Sequence, residues 1–264
     1  MCELFAMSSK IKTNVSISLH EFSLHGGKTN HHADGWGMAS FQNQRAFVYR
    51  EASPAAFSPR MKFIEAHPFP SNTIICHIRH ATQGAISVNN TQPFKREYNN
   101  SSHVFAHNGN LMTVEQEKLI SDEIPQGETD SELAFCYLFS AIKKLWLTSP
   151  PTLADRVQVI FDIFTELSTM GIANMIYSDA DYLYAFADQR IQPNGQISPP
   201  GLHYLQRTCA IDSENMKNIG VHIHTQPQTV CLFASVPLTS EPWVAMQQHQ
   251  LMVVKHGEII TTCG

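Results

Sequence analysis

The sequence lacks the cysteine patterns that mark disulfide-rich and zinc-binding proteins. Its six cysteines include no C-x-x-C pair, and their spacing gives no framework for disulfides or for a metal site. We therefore expect a reduced, cytoplasmic setting. The cysteines are Cys2, Cys76, Cys136, Cys209, Cys231 and Cys263.

Long apolar runs and a strong excess of charge are missing as well. The most apolar stretch, residues 133–142, stops at Lys143 and is too short to span a bilayer. No signal peptide is expected, because the chain has no basic start and Glu3 interrupts its short apolar run. A formal net charge of −5 with 16% charged residues gives no sign of nucleic-acid or membrane binding.

The apolar content of 43% over 264 residues suffices for a large core, and two helices are its clearest elements. Thr129 and Glu132 have capping-box spacing, and apolar residues recur behind them at helical intervals as far as Trp146. A second apolar stripe covers residues 153–167. Strands precede and follow these helices, which predicts an α+β fold of antiparallel sheets with helices packed outside.

Local patterns predict the remaining elements. Residues 11–24 favour a short helix ended by Gly26 and Gly27. The two glycines beside Trp36 indicate a close approach by other backbone or by a ligand. We predict strands at 2–7, 35–42, 45–50, 73–79, 104–107, 173–178, 182–188, 203–211 and 229–235, a hairpin over 251–261, an interrupted helix over 54–66, loops at 28–34, 83–102 and 192–201, and turns at 43–44, 108–110 and 256–257.

Cys2 is the first candidate for chemistry. Removal of Met1 would leave this residue with both a thiol and a free α-amine, whereas a retained Met1 would acylate the amine. A free thiol has a pKa of about 8.5, and an α-amine with a pKa of roughly 7.7–8.0 can accept its proton. One residue would then supply nucleophile and base. Taken alone, the Met-Cys dipeptide is better explained by chance.

Three further positions suit the recognition of an amino acid. Arg79 follows an apolar strand, and its planar fork fits a carboxylate, although a strand-end salt bridge is the alternative. Asn108 and Gly109 offer an amide and a backbone N–H for an oxyanion, or form a simple turn. Asp130 begins a helix, where it either serves the helix dipole or binds an ammonium group. Together with Cys2 they describe an amidase acting on a γ-glutamyl group.

Histidines invite a metal interpretation that the spacing does not support. His77 and His80 are three residues apart on a predicted strand, so their side chains point to opposite faces. His31 and His32 have no partner at ligand spacing. We expect neither a metal nor a cofactor.

These motifs, in this order, resemble those of the class II glutamine amidotransferases, which are N-terminal-nucleophile hydrolases. The resemblance is closest to the short stand-alone members and covers roughly the first half of the chain. The motifs are Met-Cys-Glu-Leu at 1–4, Asp-Gly-Trp-Gly at 34–37, His-Ile-Arg-His-Ala-Thr at 77–82, Asn-Thr-Gln-Pro-Phe at 90–94, Ala-His-Asn-Gly at 106–109 and Thr-Asp-Ser-Glu at 129–132.

The resemblance implies a four-layer α-β-β-α sandwich formed by one amidotransferase domain, residues 2–264. It makes Cys2 the nucleophile, with Asn108 and the Gly109 N–H holding the oxyanion. Arg79, helped by Thr82, would bind the α-carboxylate of glutamine or another γ-glutamyl compound. Asp130 would bind the α-ammonium, and the γ-glutamyl thioester would be cleared by water.

Two departures and the chain length leave the outcome of the reaction open. Gln83 stands where many members have histidine, and His31 and His32 stand where others have an arginine. The implied domain uses most of the chain, so no synthase domain is expected. The protein would then pass ammonia to a partner protein, hydrolyse glutamine or another γ-glutamyl amide or peptide, or serve as a non-catalytic binding protein.

Overall fold

Two antiparallel sheets form the centre of the computed structural model, which describes residues 2–13, 16–112, 119–147, 149–209 and 228–264. Sheet A contains, in spatial order, β13 (Val244–Ala245), β11 (His203–Cys209), β12 (Gln228–Ala234), β1 (Glu3–Thr13), β4 (Ser71–Ile78), β2 (Trp36–Gln42) and β3 (Arg45–Glu51). Sheet B contains β15 (Glu258–Cys263), β14 (Leu251–Lys255), β8 (Leu183–Phe186), β7 (Gly171–Ser178), β6 (Ser101–Leu111) and β5 (Phe94–Tyr98).

Helices cover the outer face of each sheet. Helix α1 (Ser16–Leu24) and helix α2 (Pro59–Ala66) share a buried core with sheet A. Helix α3 (Asp130–Leu145) and helix α4 (Leu153–Thr169) do the same with sheet B. The predicted α+β fold and four-layer α-β-β-α sandwich are confirmed. None of the described helices combines the length and the apolar composition that a bilayer crossing needs.

The core between the sheets is built from smaller side chains than the two outer cores. Alternation along each strand sends one set of side chains inward and the other toward the helices. In β1, Leu4 and Ala6 face sheet B, while Phe5 and Met7 face α1 and α2. Alanines of both sheets meet in this inner layer, among them Ala6, Ala39, Ala106 and Ala185.

The starts of α3 and α4 have the N-caps that the sequence favours, but only α4 has a complete capping box. The Thr129 side chain accepts a hydrogen bond from the Glu132 N–H, which confirms the predicted cap of α3. The Glu132 carboxylate, however, does not complete a capping box; it accepts the N–H groups of Gln126 and Gly127 instead. A reciprocal box occurs on α4, between Thr152 and Asp155.

Most predicted strands and turns are present. Asn43, with φ of 57°, turns β2 into β3, and His256 with Gly257 turns β14 into β15. The predicted loop at 192–201 lies across a small hairpin of β9 (Arg190–Ile191) and β10 (Ile197–Ser198). A 3-10 turn at Ala55–Phe57 precedes α2, as the interruption near Pro59 indicated. Residues 210–211 of one predicted strand lie outside the described part.

Three local predictions are wrong. Residues 11–13 extend β1, where the Ile11 N–H donates to Gln228 Oε1 at 2.7 Å, so that the helix begins only at Ser16. The predicted loop at 83–102 contains β5, which pairs with β6. The predicted turn at 108–110 lies inside β6, because pairing with β7 continues through these residues. Tertiary strand pairing overrides the local turn signal at each of the last two positions.

The glycines beside Trp36 mark a close approach, as predicted. A side chain at Gly37 would place Cβ 2.2 Å from the carbonyl oxygen of Gln92. A side chain at Gly35 would place Cβ 2.9 Å from Thr91 Oγ1. The segment that contains the Asn-Thr-Gln-Pro-Phe motif therefore crosses directly against the start of β2.

The alanine-rich inner layer predicts a steep cost for enlargement. We expect Ala106→Leu, at a fully buried position of β6, to lower the free energy of unfolding by about 1–3 kcal/mol through overpacking. The matched change Ala245→Leu, at an exposed edge-strand position, is expected to shift it by no more than about 0.5 kcal/mol. Urea denaturation of both variants measures the difference, and equal effects would contradict this account of the inner layer.

Candidate active site

Strand β1 lies in the middle of sheet A and brings Cys2 to one end of it. The strand pairs with β4 on one side, Glu3 opposite Ile78 and Leu4 opposite His77. It pairs with β12 on the other, Phe5 opposite Ala234. Continuing the first register by one residue sets Cys2 beside Arg79. The antiparallel order thus joins the first residues of the chain to the arginine motif.

The backbone of His80 holds the Cys2 sulfur. The His80 N–H donates to Sγ at 3.3 Å, and the thiol donates to the His80 carbonyl oxygen at 3.4 Å. Burial raises the pKa of the Cys2 thiol, and the nearby Asp130 carboxylate adds to this rise. The His80 N–H and the Arg79 guanidinium act in the opposite direction without cancelling it. At neutral pH the resting group is therefore a thiol that needs a base.

Ser235 connects Asn108 to the start of β1. Its Oγ accepts the Leu4 N–H at 3.0 Å and the Asn108 Nδ2 at 3.0 Å, while Asn108 Oδ1 is buried without a partner among the described residues. Turning the amide by 180° lets the Ser235 hydroxyl donate to Oδ1. The amide N–H₂ then faces the space that lacks a partner, which is the orientation an oxyanion requires.

Gly109 directs its N–H to an open edge of β6. On this edge the His107 N–H donates to Gln92 Oε1 at 2.6 Å, and the Leu111 N–H donates to Asp130 Oδ2 at 2.8 Å. Alternate residues of a strand point their N–H groups the same way, so the Gly109 N–H lies between these two side chains. A Cβ here would come within 1.7 Å of the Ile172 carbonyl oxygen, so only glycine fits.

The guanidinium of Arg79 binds its own loop. It donates to the carbonyl oxygens of Gln83 at 2.9 Å, Gly84 at 3.2 Å and Ala85 at 2.9 Å. Arg79 is buried, with 3% of its surface exposed, and burial lowers its pKa. The alternative for this arginine, a strand-end salt bridge, is not found among the described residues; Arg79 orders the loop that follows it.

The Asp34 motif clamps the arginine motif from the other side. Arg79 N–H donates to the Gly35 carbonyl oxygen at 2.8 Å, and Asp34 Oδ2 accepts the Ala81 N–H at 2.8 Å. Thr82 is exposed on this loop, and the described hydrogen bonds include none between it and Arg79. Gln83 instead reaches β6, where its Nε2 donates to Asn110 Oδ1 at 3.0 Å.

Asp130 ties the end of β6 to the start of α3. Besides Leu111, its carboxylate contacts the Ser131 hydroxyl at 3.4 Å. It is 5% exposed, and its charge acts on Cys2. The structure thus brings Asp130, Arg79 and Asn108 to the sheet ends around Cys2, with Gly109 beside them, whereas Thr82 stays on the surface of the loop.

A buried ion pair lies next to Cys2 in the chain. Glu3, 1% exposed, accepts from His25 at 2.5 Å and from Asn30 at 3.0 Å. Burial raises the pKa of Glu3, but the hydrogen bond and charge of His25 outweigh it and leave that pKa below its usual value. Burial likewise lowers the pKa of His25, but the hydrogen bond and charge of Glu3 outweigh burial and raise that pKa above its ordinary value.

The histidines of the site do not form a metal centre. His77 is fully buried between the sheets, and burial lowers its pKa to about 3, helped by the charges of His107 and Arg79. The rings of His32 and His80 meet edge to face, 5.8 Å between centroids. Across the ranges that the structure describes, no three histidine, cysteine, aspartate or glutamate side chains converge as metal ligands.

Several residues of the site carried no separate signal in the sequence. Gln92 and Asp34 belong to recognised motifs, and their bonds explain why those motifs contain an amide and a carboxylate. Ser235 follows a predicted strand without any local mark. Asn174, whose side chain donates to the Asn108 carbonyl oxygen at 3.0 Å, looked like an ordinary strand residue.

Comparison with known proteins defines the class. Residues 1–264 match the family model described as "Glutamine amidotransferases class-II". The chain therefore belongs to the class II glutamine amidotransferases, as the resemblance of its motifs indicated.

Individual relatives agree with this assignment. An Escherichia coli K12 protein named "Putative glutamine amidotransferase YafJ" is 30% identical over 92% of this chain and 93% of its own length. "Uncharacterized protein MJ1515" of Methanocaldococcus jannaschii is 32% identical over 98% of this chain and 71% of its own length.

Solved structures share the fold. A "predicted glutamine amidotransferase" of Pseudomonas aeruginosa PA01 superposes with a TM-score of 0.69 at 25% identity, covering 98% of this chain and 100% of the other. The glutamine phosphoribosylpyrophosphate amidotransferase of B. subtilis reaches a TM-score of 0.62 at 17% identity, over 99% of this chain and 48% of that one.

The Glu3–His25 pair predicts a pH dependence of stability. The contribution of Glu3 is lost as pH falls through its lowered pKa, and that of His25 is lost as pH rises through its raised pKa. The pair therefore stabilises the fold most at pH values between the ordinary pKa of glutamate, about 4.3, and that of histidine, about 6.5. We expect His25→Gln to lower the free energy of unfolding, by about 1 kcal/mol or more, and by more at pH 6 than at pH 9.

Urea denaturation at the two pH values measures this difference. His20→Gln is the matched control, because His20 also contacts a carboxylate, that of Glu65, but has a side chain that is 56% exposed. A surface contact of this kind contributes about 0–1 kcal/mol. An equal deficit of the His25 variant at both pH values would show that the charge of His25 adds nothing.

Proposed function

We propose that this chain hydrolyses the side-chain amide of glutamine, or of another γ-glutamyl amide, through a thioester on Cys2, and that residues 2–264 act as one amidotransferase domain. The family assignment supports the reaction class. The observation that carries the proposal is the joining of Cys2, the Ser235–Asn108 pair and the open edge at Gly109 at one end of the sandwich.

The first step forms the thioester. After Met1 is removed, the Cys2 amine takes the thiol proton, which suits a sulfur whose pKa is raised by burial. The thiolate adds to the amide carbon, and the oxyanion that forms is held by the Asn108 amide and the Gly109 N–H. The C–N bond then breaks, and the nitrogen leaves as ammonia or an amine with the proton held by the Cys2 amine.

The second step restores the enzyme. Water adds to the thioester carbon, the C–S bond breaks, and the products are glutamate and the Cys2 thiol. The reaction written in this way uses no cofactor or metal. The proton that the amine takes up in the first step departs with the leaving group. The same oxyanion donors serve both steps.

The amino-acid end of the substrate would be held by the two buried charges. Asp130 has accepting capacity left beyond its bond to Leu111, and an ammonium group would use it. Arg79 would take the carboxylate, helped by Thr82 on the same loop. Since Arg79 now binds three loop carbonyl oxygens, the carboxylate would have to replace part of that bonding.

That same feature favours a second candidate, an ammonia-supplying subunit. An arginine occupied by its own loop is poorly prepared for substrate, so a partner protein that shifts residues 83–85 would raise glutaminase activity. This candidate predicts weak release of glutamate by the isolated chain and a clear increase when a partner is added. Co-purification from the native cell followed by a glutaminase assay distinguishes the two. A chain that only binds glutamine would release no glutamate, with or without a partner protein.

Loss of the nucleophile tests the mechanism. We expect intact mass to show a chain without Met1, and Cys2→Ala to lower glutamate release by at least about a thousandfold, because no other group can form the thioester. Cys263→Ala, at a partly exposed cysteine of the last strand, is the matched control and should keep full activity. Residual turnover by the Cys2 variant comparable to the unmodified chain would rule the mechanism out.

Replacing the guanidinium of Arg79 by an ammonium group tests its proposed role in binding the substrate carboxylate. We expect Arg79→Lys to raise KM for glutamine about tenfold with a smaller effect on kcat, since the carboxylate is remote from the reacting carbon. Arg60→Lys, at an arginine 51% exposed that contacts Glu51, is the control. Steady-state kinetics decide, and an unchanged KM would remove Arg79 from substrate binding.

A further inference from the structure

A large cavity opens beside the nucleophile. Its volume is about 760 Å³, and its walls come from three parts of the chain: the region of Glu3, the segment that holds His32 and His80, and the β9 hairpin with Arg190 and the neighbouring His203. Neither Arg79 nor Asp130, the two residues proposed to bind the amino-acid end of glutamine, lines this cavity. It is therefore a space distinct from the amino-acid site.

Four of its wall residues present buried nitrogen atoms that have no hydrogen-bond partner among the described residues. These atoms are Nδ1 of His32, Nδ1 of His80, Nε of Arg190 and Nδ1 of His203. A buried polar atom without a partner is costly, so such atoms are rare and need an explanation. His32 Nδ1 lies 3.7 Å from Glu3 Oε1, and His80 Nδ1 lies 3.6 Å from Asp34 Oδ2. Arg190 Nε and His203 Nδ1 are therefore the two atoms that indicate a polar ligand in this cavity.

The charge of the walls favours an anion. Arg190 donates from one terminal nitrogen to the Ser235 carbonyl oxygen at 2.7 Å, and its described contacts include no carboxylate within ion-pair distance. The carboxylate of this cavity, Glu3, is already bound to His25 and Asn30 and lies 3.7 Å from His32 Nδ1. A partly buried guanidinium with an unused N–H calls for a planar, negatively charged acceptor, which a carboxylate provides.

The cavity is lined by residues that adjoin Cys2. His80 holds Cys2 Sγ with its backbone, while its side chain lines the cavity. Glu3, which follows Cys2 directly, forms another part of the wall. A substrate whose γ-glutamyl part lies with Arg79 and Asp130 would thus extend its leaving group from Cys2 into this space.

Resting on the proposed function, we propose that the cavity binds a carboxylate carried by the leaving amine, so that the preferred substrates are γ-glutamyl amides of amino acids or short peptides rather than glutamine itself. Arg190 is the main contact, and His203 completes the bonding of the bound carboxylate. Hydrolysis then releases glutamate and an amino acid or peptide: water supplies the hydroxyl of the new carboxyl group, and the departing nitrogen gains a proton.

Two probes that differ only in the leaving carboxylate test this. γ-Glutamylglycine carries the carboxylate, and γ-glutamylglycinamide replaces it with a neutral amide. We expect kcat/KM of the unmodified chain to favour the first by about tenfold or more, the size of a charge-assisted bond. In Arg190→Gln the ratio should fall to within about twofold of unity, and Arg190→Lys should restore part of it.

Comparing the two probes within each variant cancels any general loss of activity that follows when Arg190 no longer contacts Ser235. Arg45→Gln, at an exposed arginine paired with Glu97, is the matched control and should keep the ratio of the unmodified chain. Should Arg190→Gln fail to fold, His203→Gln replaces it and should lower the ratio at least about threefold. A ratio near unity in the unmodified chain, or one unchanged by the variants, overturns the proposal.

Binding to Cys2→Ala protein separates this inference from the proposed reaction. Calorimetry should show tighter binding of γ-glutamylglycine than of γ-glutamylglycinamide, and Arg190→Gln should remove the difference. If no γ-glutamyl compound is cleaved but this preference holds, the reaction is wrong and the carboxylate site stands. If both probes are cleaved and bound equally, the reaction stands and the carboxylate site is wrong.

Discussion

The antiparallel pairing of β1 with β4 and β12 is the constraint on which the site depends. It places the second residue of the chain in the interior of a seven-stranded sheet, opposite the arginine motif, and leaves no freedom of register, because a slip by one residue would exchange Leu4 and Phe5 between the two cores. The hydroxyl of Ser235 and the backbone of His80 then act on a strand whose position is already fixed.

Residues of the site also hold the fold together, and this sets its geometry before any ligand arrives. Asp130 secures the end of β6, Gln92 forms a pair of bonds with the backbone of His107, and Arg79 orders residues 83–85. Such double use keeps donors and charges in place at little further entropic cost. It also means that any ligand of the Arg79 guanidinium would compete with the internal hydrogen bonds of that group.

The long apolar stripes of α3 and α4 and the strand order around them predicted an α+β fold, because these patterns depend on burial alone. The four layers were predicted from the family resemblance. The candidates Cys2, Arg79 and Asp130 came from their motifs. Sequence reasoning misplaced Asn108 and Gly109 in a turn, since the local Asn-Gly signal cannot reveal that β7 continues to pair there. It had no means of finding Ser235 or Arg190, whose roles arise from contacts between distant segments, with β1 for the one and with a cavity wall for the other.

The raised pKa of the Cys2 thiol has a consequence for the durability of the protein. Oxidation to sulfenic and higher acids proceeds through the thiolate and follows its abundance and exposure. A sulfur that stays protonated at rest reacts slowly with peroxide. The burial that keeps this thiol protonated thus also slows its oxidation.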